Sequence, residues 1–138
     1  MAYSPKWQKR FDFYEKHGLP NTPGFKAEFK NLGFMDRLTV SINFIGFFFS
    51  WIYMLVLGRP KQAVTILVVS ILFQVVVYAA AYILVSLGIS PKVFSFVSTA
   101  GGFLLQYAHG QIANVSYYYK EIKGEPDCFN PYKYVKLW

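Results

Sequence analysis

The sequence predicts an all-α membrane protein: an amphipathic N-terminal leader of one or two short helices, then three apolar helices. Three observations predict it. Ala63 to Leu87, AVTILVVSILFQVVVYAAAYILVSL, carries no charged residue. At about 1.5 Å per residue, a helix of that length crosses a hydrocarbon core of about 30 Å. Two further apolar stretches, residues 38–58 and 93–118, flank it, and 138 residues are too few to bury three such helices in one water-soluble core. Charge is pushed to the ends: from Leu38 to Ser90 only Arg59 and Lys61 are charged.

The net charge is +7, with 54% hydrophobic and 20% aromatic residues. On a soluble chain such a charge would suggest nucleic acid. Where basic residues flank apolar spans, a bilayer with anionic headgroups is the expected partner and nucleic acid is not. Cys128 is the single cysteine, which excludes an intrachain disulfide and a cysteine metal cluster. No secretory signal is visible before Leu38, so the spans themselves are expected to act as insertion signals.

Residues 1–37 form the leader, expected on the cytoplasmic side. Ser4-Pro5 reads as a helix start and Gly18 as its stop. Trp7, Phe11 and Tyr14 then fall on one face, with Lys6, Lys9, Arg10 and Lys16 around it. An aromatic stripe with basic flanks suits contact with a membrane surface through Lys6, Trp7, Lys9, Arg10, Phe11 and Tyr14. The same stripe could equally pack on the protein's own spans. A second short helix is expected from about Pro23 to Leu32, with Gly33 as its stop.

In residues 38–58, Thr39, Asn43, Gly46, Ser50 and Tyr53 recur every three or four positions and would line one face of a continuous helix. Small residues in such a stripe let a neighbouring helix approach closely in lipid. Gly58-Arg59-Pro60 marks a tight turn into the span at 63–87, whose own stripe is Ser70, Gln74, Tyr78, Tyr82 and Ser86. In residues 93–118 the stripe is Ser98, Gly102, Gln106, Gly110 and Asn114. Residues 119–138, with Pro126 and Pro131, are expected to hold little regular structure.

Loop charges bear on orientation. If all three apolar segments cross, the fourteen basic residues divide eight against six. If residues 38–58 dip in and return, thirteen lie on one side and one on the other, which fits the positive-inside rule with both termini cytoplasmic. Hydropathy pulls the other way. Residues 38–58 lack the strongly polar face of an interfacial helix, and a re-entrant turn must hide its open backbone inside protein. The charge pattern favours two full crossings, with 38–58 either spanning or re-entrant.

Gln74, Gln106, His109, Asn114 and Asn43 are the polar groups at membrane depth, where an unpaired amide is costly. Helix-to-helix hydrogen bonding accounts for them, at about 0.5–2 kcal/mol each, with Gln74 and Gln106 as a central pair. Trp51, Tyr53, Tyr117, Tyr118 and Trp138 suit the aromatic belt at the interface. Asn114-Val115-Ser116 fits a glycosylation acceptor but lies at a membrane boundary. His17 and His109 lack partners at metal-ligand spacing, and no nucleophile stands with a base, so neither a catalytic nor a metal site nor a cofactor is expected.

KWQKRFDFYEKHG (Lys6–Gly18), then Arg37 with Asn43, then FFFSWIYMLVLG (Phe47–Gly58), resembles a family of small bacterial inner-membrane proteins classed as a domain of unknown function. The resemblance covers about Lys6 to Leu72, with a looser echo in Asn114–Tyr118. Ser50-Trp51 stands where Gly-Pro often appears, which argues against a broken first segment, and Arg59-Pro60 stands where a Met-Trp pair is common. The resemblance implies a multi-pass inner-membrane location and carries no chemistry.

The expected function is therefore non-enzymatic: interaction with, or regulation of, another membrane component, as a hetero-partner or a homo-oligomer. The alternative is a small oligomeric channel or transporter subunit lined by Gln106 and His109. An enzyme acting on lipid fits least, because the spans contain no Asp or Glu.

Overall fold

A computed structural model describes residues 2–20 and 22–134, and among these the regular structure is helical, with no strand. Six α-helices follow in order: α1 Pro5–His17, α2 Pro23–Phe29, α3 Phe34–Ser41, α4 Phe44–Val56, α5 Pro60–Ser86 and α6 Pro91–Glu121. A 3₁₀ turn, Pro131–Tyr134, follows. Proline stands in the first turn of α1, α2, α5 and α6, where its missing N–H has no intrahelical partner to lose. Thr22 caps α2 by accepting the Phe25 N–H.

The long helices α5 and α6 form an antiparallel pair. Their base, where Arg59 meets Ser116, is packed; beyond the contact of Phe73 with Gly101, both helices line a cavity of about 440 Å³. On α5 the buried residues are Gln62, Ala63 and Ile66, all in the first two turns. On α6 burial begins at His109. Around Met54, Ile66, Ile112 and Ala113 the base closes one apolar core. A second, aromatic core holds Phe11, Tyr14, Phe25, Val40 and Tyr118, and seats the leader helices on the end of α6.

The expected continuous helix over 38–57 is interrupted twice. Ile42 is extended (φ −118°, ψ 131°), and Asn43 restarts the helix by accepting the Gly46 N–H on its Oδ1 at 3.0 Å. The apolar stretch thus begins as α3, inside the leader. The second interruption is Ser50, whose φ of 26° and ψ of −98° are not helical. It divides α4 into two short arms.

The path of α4 follows from its neighbours. Asn43 lies opposite Asn114, Phe47 passes Gly110 and its ring meets Phe103 at 5.1 Å, and the Leu57 carbonyl accepts from Lys120 Nζ at 2.8 Å. A straight helix from Asn43 to Leu57 would advance about 21 Å, whereas Asn114 and Lys120 stand about 9 Å apart along α6. Both ends of α4 therefore lie at the same end of α6, and α4 is a V with Ser50 at its bend. Close approach is made possible by glycine: a Cβ on Gly46 would meet Ala113 Cβ at 3.0 Å, and one on Gly110 would meet the Asn43 carbonyl at 3.2 Å.

The tail, expected to be irregular, has a defined course across the base. Asp127 Oδ2 accepts the Lys61 N–H at 2.7 Å and so caps α5. The Thr65 hydroxyl donates to the Phe129 carbonyl at 2.6 Å.

Candidate functional site

Polar side chains gather along the seam between α4, α5 and α6. Asn43 Nδ2 donates to Asn114 Oδ1 at 3.0 Å, with both residues buried. Below the α4–α5 turn, Arg59 is fully buried and its Nη2 donates to the Ser116 carbonyl at 2.8 Å. The Ser116 hydroxyl donates to Gln62 Oε1 at 2.6 Å, and Gln62 Nε2 reaches Tyr134 OH and Cys128 Sγ at 3.5 Å each. His109 Nε2 lies 3.0 Å from the Tyr132 hydroxyl, so the tail covers the one imidazole on α6. Sequence reasoning named Asn43, Asn114 and His109 for this seam. It missed Arg59, Gln62 and Ser116, whose signal was a lone arginine between two apolar helices, a residue that must find buried acceptors or reach water.

Gln74 stands apart. It lies exposed on α5, in line with Tyr78 and Tyr82, which are 73% and 79% exposed, while Gln106 keeps its Oε1 buried without a partner. The expected central Gln74–Gln106 pair is not made. Each stripe is continuous on its own helix, but at mid-length α5 turns Phe73, not Gln74, toward α6: a Cβ on Gly101 would meet the Phe73 ring at 3.4 Å. Asn114 is 1% exposed, so its side chain is not open to glycosylation.

The leader needs a correction as well. Phe11 and Tyr14 are buried against Tyr118, with ring centroids 5.9 and 5.6 Å away, so the stripe packs on the protein's own helix. Arg10 is likewise buried, and its Nε and Nη2 donate to the carbonyls of Thr39 and Ile42 at 2.7 and 3.2 Å. Phe11 and Tyr14 are not free to touch a bilayer, and Arg10 is open only toward the crevices beside it. Lys6 and Lys9 remain exposed and Trp7 half-exposed. Burial lowers the pKa of the Arg10 guanidinium, and burial raises that of the Tyr14 hydroxyl, which donates to the Val40 carbonyl at 3.0 Å. Among the expected interfacial anchors, Trp51, Tyr53 and Tyr117 are half-buried, with Tyr117 against Trp7 at 4.6 Å, whereas Tyr118 is a core residue. Trp138 lies outside the described residues.

No group of three or more His, Cys, Asp or Glu side chains is placed to hold a metal among the described residues. What these features define is an all-helical protein with two stretches, Phe34–Val56 and Pro60–Ser86, long and apolar enough to cross a membrane. The chain belongs to the family described as "Protein of unknown function (DUF2628)", whose pattern matches residues 2–122. It is 40% identical over 128 residues to the uncharacterized protein YigF of Escherichia coli (strain K12), covering 89% of this chain and 88% of the relative. It is 39% identical over 128 residues to YigF of Salmonella typhimurium and of Salmonella typhi, with the same coverage. No solved structure matches it.

Proposed function

We propose that this is a multi-pass protein of the bacterial inner membrane that acts by docking on another membrane component, without chemistry of its own. In this reading α5 and α6 cross the bilayer, the leader and the base are cytoplasmic, and α4 enters from that side and returns. The positive-inside rule supports the arrangement, since Lys92 would be the one basic residue on the far side. The V of α4 supports it too, because its backbone bend is sheltered inside the protein: Ser50 is buried.

One observation carries the interaction reading. Gln74, Tyr78, Tyr82 and Ser86 are exposed in register on a helix with no charge after Lys61. Gln74 falls near the midpoint of α5, where an amide facing lipid leaves its donors and acceptors unpaired. A partner helix bearing polar groups would satisfy them, and the bare far halves of α5 and α6 leave room for it.

Photo-crosslinking from Tyr78 in native membranes tests this. The expected result is one discrete adduct to a membrane protein, lost in Gln74→Leu while the protein stays folded and inserted. A chain recovered solely as a free monomer, with Gln74→Leu unchanged from the native protein, contradicts it.

A further inference from the structure

Beside the α3–α4 junction lie two crevices of about 160 and 120 Å³, both lined by Lys6, Arg10 and Phe44. The first is also lined by Ser4, Asn43 and Tyr53, and neither has an Asp or Glu in its wall. Arg10 is 7% exposed and forms no ion pair among the described residues. Its Nε and Nη2 are spent on the Thr39 and Ile42 carbonyls, and its guanidinium rests on the Trp7 ring at 4.6 Å from the centroid. The cation is thus fixed in place, desolvated and facing a hollow, with carbonyl dipoles but no carboxylate to balance it. A buried charge of this kind favours a counter-ion. Lys6, at the mouth, adds a second positive charge, and the Ser4 side chain is not used as a helix cap. Phe44 and Ile45, each 54% exposed, form the adjoining apolar rim.

We infer that the Lys6–Arg10 crevice is a binding site for a phosphate oxyanion. Arg10 would supply a fixed guanidinium edge and Lys6 a mobile ammonium, while the Ser4 and Tyr53 hydroxyls would complete the set of donors. A phosphate could come from the headgroup of an anionic lipid, whose acyl chains would run along Phe44 and Ile45, or from free phosphate in solution. The site uses none of the α5 stripe, so it stands or falls separately from the docking reading above.

The full chain in nanodiscs and in an uncharged detergent provides the test, with tryptophan fluorescence of a variant keeping Trp7 alone (Trp51→Phe, Trp138→Phe) and native mass spectrometry as readouts. Nanodiscs of phosphatidylcholine alone are compared with ones containing phosphatidylglycerol, and inorganic phosphate is titrated into the detergent sample. The expected result is retention of phosphatidylglycerol, weakened about fivefold or more by Lys6→Gln and by Tyr53→Phe, but little by Lys16→Gln. Saturable binding of inorganic phosphate with the same variant pattern would support the site with free phosphate as its source; preference for phosphatidylglycerol without a phosphate response would support it with lipid as the source. Equal weakening by Lys6→Gln and Lys16→Gln, or no retention of either probe by a folded protein, would overturn it.

Discussion

Asn43 and Asn114 are joined by a buried hydrogen bond of 3.0 Å, and Asn43 also caps the first arm of α4 through its Oδ1. One side chain thus starts a helix and fixes it to α6. Its two functions can be separated. Asn43→Ala removes the cap and leaves Asn114 with a buried amide lacking its partner, so stability should fall by about 2 kcal/mol. Asn43→Ser keeps a capping oxygen and loses the bridge, at about half that cost. Denaturation in detergent, followed by tryptophan fluorescence, measures both. Equal stability of Asn43→Ala and the native protein would contradict the role given to this pair.

Ser50 predicts the opposite sign. Its positive φ places a side chain where only glycine is at ease, at a strain of about 1–3 kcal/mol. Ser50→Gly should therefore raise stability, by about 1 kcal/mol, and Ser50→Val should lower it by more than that. The same denaturation experiment reads the result. A stabilising effect of Ser50→Ala in place of Ser50→Gly would mean that α4 is a straight helix.

Acidification should loosen the leader. Lys123 Nζ donates to Glu15 Oε1 at 3.0 Å, and that hydrogen bond holds the Glu15 carboxyl below its ordinary range. A depressed carboxyl contributes stability that is present above its unfolded pKa, about 4.3, and lost as pH falls through the folded value. Protection of the α1 amides against hydrogen exchange, relative to the intrinsic rate at each pH, should fall over that interval, and Glu15→Gln should show the reduced protection already at neutral pH. Both residues are exposed, so the effect is local and weakened by salt.

Much of the fold could be read from residue order. The prolines at 5, 23, 60 and 91 and the glycines at 18, 58 and 88 punctuate the helices where chain chemistry requires it. What escaped was of a different kind. Asn43 looked like a stripe residue because a helix N-cap inside an apolar run has the same spacing as a packing contact. Ser50 misled: Ser50-Trp51 in place of Gly-Pro argued against a break, yet the break is there, at a residue its dihedrals do not favour. In the tail, Asp127 and Tyr132 act through contacts with α5 and α6 more than twenty residues away, which local pattern does not report. The candidate seam was half visible: Asn114 and His109 stood out as polar residues in lipid-like surroundings, whereas Gln74 and Gln106 shared a period but not a facing direction.

The central claim is that α4 enters and leaves on the side of the leader. Cysteine labelling in intact cells, with single cysteines at Lys61 and Lys92 in a Cys128→Ser background, tests it most directly. The account predicts that the cysteine at position 92 reacts with an impermeant reagent from the periplasm, while the one at position 61 reacts only after the cytoplasmic face is opened. Labelling of position 61 from the periplasm would mean that α4 crosses fully, and would contradict the account.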